Sequence, residues 1–130
     1  MSEAQAMQLC KQSPYIIPLI DELEVEDNIY LVTKYARGGN LLNYLNARGI
    51  TRLPENQALM IFMQIAHGLY DIHSSNVVHR DLKHLNIFLS NNSDHPTVKI
   101  GDFGMACMLN EDECIRKIAG TVGFMAPEVI

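Results

Sequence analysis

The longest helical pattern in the chain opens at Pro54-Glu55 and ends near Ser74, and it decides what can form a core. Leu59, Phe62, Met63, Ala66 and Leu69 make one apolar stripe at helical spacing, while Ile61, Ile65 and Ile72 make a second. A helix apolar on two sides is expected to be buried on most of its surface, with other elements packed around it. His67 and His73 on this helix read as packing or hydrogen-bonding residues. The remaining elements are shorter. Ser2-Glu3-Ala4-Gln5 has capping-box spacing, so a short helix should start there and stop before Ser13-Pro14. Leu19 to Val25 and Ile29 to Thr33, separated by Glu26-Asp27-Asn28, predict a two-stranded hairpin. Gly38-Gly39 then breaks the chain, and Asn40 can cap a helix reaching about Ala47. Val77-Val78, Ile87-Phe88-Leu89 and Val98-Lys99-Ile100 are short strand candidates, with the longest intervening loop at Ser90 to Pro96. Strands first, then helices, then small strands bearing polar residues predict an α+β fold with a site between two parts.

Composition narrows the function classes. A chain of 130 residues with 48% hydrophobic content is one domain in size and can bury a modest core. Its formal charge of −5, with no block of lysine or arginine, argues against nucleic acid and anionic membrane as partners. A local basic patch would be needed, and none is visible along the sequence. Cys10, Cys107 and Cys114 are odd in number and lack C-x-x-C spacing, so they read as free thiols of a reducing compartment. No apolar run approaches a membrane span, and the first residues lack signal-peptide order. The expectation is a soluble, cytoplasmic protein, with the nucleus as the alternative.

Chemistry is concentrated in three motifs: His79-Arg80-Asp81-Leu82-Lys83-His84-Leu85-Asn86, then Asp102-Phe103-Gly104, then Ala126-Pro127-Glu128. Each has a bland reading when taken alone, as a solvated loop or a turn. Together, in this order, they resemble the protein kinase family, and Lys83 with Thr121 resembles its serine/threonine branch. Phosphoryl transfer needs metal ions to neutralise phosphates, an aligned hydroxyl, and cations facing the transferred group. The resemblance implies that Asp81 orients the substrate hydroxyl and accepts its proton, and that Lys83 sits near the transferred phosphate. It implies that Asn86 and Asp102 hold Mg2+ through hard oxygen ligands. Phe103 would pack inward, Gly104 would permit a backbone bend, and Glu128 would end the segment that receives the substrate peptide. His84 departs from the proline often found there; its alternative as a metal ligand lacks a partner at zinc spacing.

The same resemblance implies a nucleotide pocket for ATP. Ile29 to Ala36 is similar to the strand and hinge that hold adenine, with the Lys34 carbonyl and Ala36 N–H as contacts and Thr33 guarding the back. Phe88 would form the floor, and Asn40 stands where the family commonly reaches the ribose. Glu3 is either the helix glutamate that pairs with a phosphate-holding lysine, in a spine that includes Met7, Leu19, His79 and Phe103, or a simple first-turn acid. A Gly-x-Gly-x-x-Gly loop and a Val-Ala-Ile-Lys-like strand are absent from the 130 residues. The expectation is therefore a partial kinase domain: residues 1–33 a remnant of the N-lobe, 34–39 the hinge, and 40–130 the first half of the C-lobe. Its activation segment would run over 102–128. Such a piece should be inactive alone, belonging to a parent that phosphorylates protein Ser/Thr, or else act as a noncatalytic interaction module. No Ser, Thr or Tyr lies between Gly104 and Thr121, so Arg80 lacks a phosphate partner there. Glu111, Asp112 or Glu113 could substitute for it, or could be a solvated acidic tip.

Overall fold

The computed structural model describes residues 1–110 and 117–129. Helix α1 spans Glu3–Leu9 and is opened by the capping box that its sequence announces, with Gln5 N–H donating to Ser2 Oγ and Ser2 N–H donating to Gln5 Oε1. Strands β1 (Leu19–Val25) and β2 (Asn28–Thr33) form an antiparallel hairpin, with Val25 opposite Asn28 and a bulge between Leu19 and Asp21. Helix α2 (Leu41–Ala47) starts from Asn40, whose Oδ1 accepts from Asn43 N–H. Helix α3 runs Glu55–Ser74. Past its end Asn76 takes the left-handed conformation (φ 56°) that commonly stops a helix.

Two further strand pairs follow. β3 (Val77–Val78) pairs with β6 (Cys107–Met108), and β4 (Ile87–Leu89) pairs with β5 (Val98–Ile100), both antiparallel. A 3-10 turn over Pro127–Val129 comes last. The stretch Tyr15 to Ile17 runs alongside β5, with Ile100 N–H donating to Tyr15 O and Ile17 N–H to Ile100 O. One buried core joins these parts, built from Met7, Ile16, Tyr44, Ile61, Ile72, Leu89, Ile100, Phe103 and their neighbours.

Helix α3 departs from expectation. Its Ile61 and Ile72 are buried against the core, and Gly68 lets the helix lie so close to β5 that an added Cβ would fall 2.7 Å from Ile100 Cδ1. Gln64 fastens the same contact, accepting from Val98 N–H and donating to Pro96 O. The other stripe is open: Leu59, Phe62 and Met63 are 56%, 66% and 52% exposed. Both stripes have helical period; the inner one packs against β3 and β5, while of the outer one Leu69 alone reaches the core among the described residues. The reading of three free thiols is also corrected. Cys10 is free and buried, whereas Cys107 is disulfide-bonded; Cys114 lies outside the described residues. None of the helices described is long and apolar enough to cross a membrane.

Candidate functional site

The loop between β3 and β4 carries residues 79–86, and the residues that follow β5 carry 101–104, so two strand pairs place both polar motifs on one side of the core. Register does the local work. Ile87 opposite Ile100 brings Asn86 beside Gly101, whose N–H donates to Asn86 O at 3.0 Å. His79, buried beneath the loop, accepts from Asp81 N–H at Nδ1 (3.3 Å) and therefore donates from Nε2 to Gly101 O (3.0 Å). That pattern requires the neutral imidazole. Burial lowers the His79 pKa, against the opposing pull of the Gly101 carbonyl and the Asp102, Asp81 and Glu3 charges. Its ring meets Phe103 edge-on at 4.9 Å, and Met7 and Leu19 pack in the same cluster.

Asp81 is the centre of the polar cluster. Lys83 Nζ donates to Asp81 Oδ2 at 2.8 Å and to Thr121 Oγ1 at 2.6 Å, while the Thr121 hydroxyl donates to Asp81 Oδ1 at 2.5 Å. Asn86 Nδ2 donates to the Asp81 backbone O (2.9 Å) and to Oδ2 (3.2 Å). Burial pushes the Asp81 pKa up, but hydrogen bonds from Lys83 and Thr121, the Lys83 charge and the Asn86 amide together outweigh it, so the carboxyl titrates below its ordinary range. It is an anion near neutral pH, with both oxygens engaged.

The 102–104 segment is tied to α1. Phe103 N–H donates to Glu3 Oε1 at 3.1 Å, a contact across the core that links the first turn of α1 to this motif. The backbone turns at Gly104–Met105, closed by Ala106 N–H donating to Phe103 O at 2.9 Å, and two residues nearby are left-handed, Asp102 (φ 59°) and Arg80 (φ 65°). Non-glycine residues held there cost of order 1–3 kcal/mol each, and such strain gathers at working sites. Arg80 Nε donates to Met105 O at 2.7 Å, and its buried Nη1 has no hydrogen-bond partner among the described residues. Glu111, Asp112 and Glu113, considered as its partners, lie outside the described residues.

Asp102 opens into a cavity of about 280 Å³ lined also by Glu3, Met7, Ile17, Thr33, Phe88 and Gly101. Lys34 and Ala36 line an adjoining cavity instead, sharing Ile17. Asn40 is engaged as the cap of α2. Glu128 is exposed in the last turn, seven residues past the Thr121 that joins the Asp81 cluster. His84 stacks on Phe124 (centroids 5.2 Å, 24°), so its ring bridges the Asp81 loop and the segment after Thr121. Sequence reasoning missed the carbonyls of Gly101 and Met105. They hold His79 and Arg80 through backbone atoms, which leave no trace in residue type.

The donors present suit a hard divalent cation. With Asn86 Nδ2 committed to Asp81, its amide oxygen is the atom left to face outward, and Asp102 is an exposed carboxylate whose Oδ1 accepts only a long 3.4 Å bond from Gly104 N–H. Among the described residues no three His, Cys, Asp or Glu side chains group as a complete metal cage.

Comparison with known proteins shows the family. The family model described as protein kinase domain matches residues 1–130. Serine/threonine-protein kinase ATG1a of Arabidopsis thaliana is 38% identical over 117 residues, covering 90% of this chain and 18% of that protein. Ovarian-specific serine/threonine-protein kinase Lok of Drosophila melanogaster is 31% identical over 130 residues, 100% of this chain and 27% of that protein. The phosphorylase b kinase gamma catalytic chain, liver/testis isoform, of Homo sapiens is 36% identical over 117 residues, 90% of this chain and 28% of that protein. The chain thus spans less than a third of the length of these curated relatives.

Proposed function

Because the chain belongs to the protein kinase domain family, we propose that it carries the catalytic-loop part of a site that moves the γ-phosphoryl group of ATP to a protein serine or threonine. The observation that carries this reading is the Asp81–Thr121–Lys83 triangle. A carboxylate that already takes a hydrogen bond from one aliphatic hydroxyl at 2.5 Å, beside an ammonium, has the geometry to orient a second such hydroxyl. In this reading Asp81 accepts the acceptor's proton, and Lys83 places positive charge where the transferred group gains negative charge. Asn86 and Asp102 would hold Mg2+, which when bound neutralises phosphate charge. Thr33, Phe88 and Asp102 would line the nucleotide cavity, with the backbones of Lys34 and Ala36 at its hinge edge and Asn40 at its ribose end. Glu3, Arg80, Phe103, Gly104 and Glu128 would position the parts. The proposed divisions are 1–33, 34–39 and 40–130, with the activation segment at 102–128.

Magnesium-dependent phosphate transfer to a serine/threonine peptide tests the reading. In a chain that also supplies a phosphate-binding lysine, Asp81→Asn is expected to lower the rate by roughly 10²–10⁴-fold. The 130 residues alone should transfer none. An Asp81→Asn variant as active as its parent overturns the assignment. A noncatalytic interaction module is the second reading, favoured by the open apolar face of α3. Full activity in the parent decides against it.

A further inference from the structure

The segment that follows β2 borders a cavity of about 360 Å³ lined by Lys34, Arg37 and Lys99, with Ile17 and Tyr35 among the walls and no carboxylate lining it. Lys99 is 62 positions or more from the other two, so the fold alone creates this concentration of positive charge in a chain whose formal charge is −5. The ion pairs among the described residues, Arg48 with Asp94 and Lys83 with Asp81, use none of the three cations. Lys99 Nζ donates to the Pro14 carbonyl at 2.5 Å, a neutral partner that leaves its charge uncompensated. Burial and the neighbouring Lys34 charge both lower its pKa, a sign of like charges gathered without an anion. Lys34 and Arg37 are exposed, and the Tyr35 ring beside them is 82% exposed.

We propose that this cavity docks a phosphorylated side chain borne on a protein segment, with the phosphate between Lys34, Arg37 and Lys99 and flanking apolar residues of the segment against Ile17 and Tyr35. One guanidinium and two ammonium groups borne by residues lining one cavity can together serve the three oxygens of a phosphate. A polynucleotide would need cations spread along its backbone, whereas these are confined to one cavity on an acidic chain. The apolar walls and exposed ring suit the residues on either side of a phosphoserine better than a bare ion. The inference is separable from the catalytic reading: Lys34 enters that reading only through its backbone, and the side chains of Lys34, Arg37 and Lys99 have no part in it.

The test is a calorimetric titration of the 130-residue chain with a leucine-flanked phosphoserine peptide, the same peptide unphosphorylated, inorganic phosphate, and a DNA duplex. The phosphopeptide is expected to bind at least about tenfold more tightly than each of the others. Lys34→Gln and Arg37→Gln, both at exposed positions that leave the core alone, should each weaken it by several-fold, and more so together. Lys99→Gln, nearer the interior, serves as the third variant once its unfolding curve matches that of the parent. Equal affinity for the serine and phosphoserine peptides, or phosphopeptide binding indifferent to Lys34→Gln and Arg37→Gln, overturns the site. Inorganic phosphate binding as well as the phosphopeptide overturns the protein segment in favour of a free phosphate compound, and tighter duplex binding overturns it in favour of nucleic acid.

Discussion

Thr121 closes a triangle with Asp81 and Lys83, and its hydroxyl is the only neutral corner. Replacing it with valine keeps the shape and deletes two short hydrogen bonds to charged groups, so Thr121→Val is expected to cost about 1.5–3 kcal/mol in urea unfolding at neutral pH. The same variant removes one of the contacts that depress the Asp81 carboxyl, so its titration by carbon NMR should move upward, and Thr121→Ser should restore it. A depressed folded-state pKa stabilises above the unfolded carboxyl value and loses that contribution as pH falls through the folded one. Thr121→Val should therefore lose less of its stability on acidification than the parent does. His79 has the same sign for a different reason. Its pKa is lowered because the folded chain needs the neutral ring, so protons bind the unfolded state more readily and stability falls as pH drops below about 6.5, the unfolded imidazole value. Unfolding midpoints at pH 7 and pH 5 should differ more for the parent than for His79→Gln, whose amide does not titrate in that window. At this scale the sequence was informative where function rests on side chains. Asp81, Lys83, Asn86 and Thr121 were each readable from motif offsets and do converge. The turn at Gly104 was readable from residue type, whereas the left-handed backbone at Asp102 was not, because neighbouring packing fixes φ.

Elements were legible where a local rule sets them. Ser2 and Asn40 cap α1 and α2 as their side chains dictate, and the three short strand candidates are all strands. β6 at Cys107–Met108 escaped notice since two residues carry no period, and its existence depends on β3 across the sheet. How the elements join is carried by Gly38. Its N–H donates to Leu89 O, and an added Cβ would sit 2.5 Å from Asn91 O and 2.7 Å from Leu89 O, both rigid backbone atoms at the end of β4. Gly38→Ala must push the segment after β2 off that strand, at a cost of about 1–3 kcal/mol. Asn40→Ala, two residues on, removes only the α2 cap and should cost about 1 kcal/mol. Chemical denaturation of both variants ranks them, and a Gly38→Ala chain as stable as the parent would show that the close approach is slack.

For the molecule as a whole, α3 presents the unresolved physical problem. Its inner stripe is fixed by β3 and β5, while Phe62, Met63, Ala66, His67 and Tyr70 line an open groove of about 380 Å³ on the other side. Pattern alone could not say which stripe would find a partner, as both repeat with the helix and only tertiary contact separates them. An exposed apolar groove of this kind favours association in water. The chain on its own is therefore expected to self-associate as its concentration rises, even though its formal charge of −5 opposes it. Phe62→Gln combined with Met63→Gln should shift the sedimentation profile toward monomer. Because both side chains are more than half exposed, the double variant should change unfolding free energy by no more than about 0.5 kcal/mol per substitution. Salt separates the two forces: screening the net charge should promote association of the parent and leave the double variant largely monomeric. A parent that stays monomeric at high concentration and high salt, or a double variant that associates equally well, would mean that this groove does not drive contact between chains.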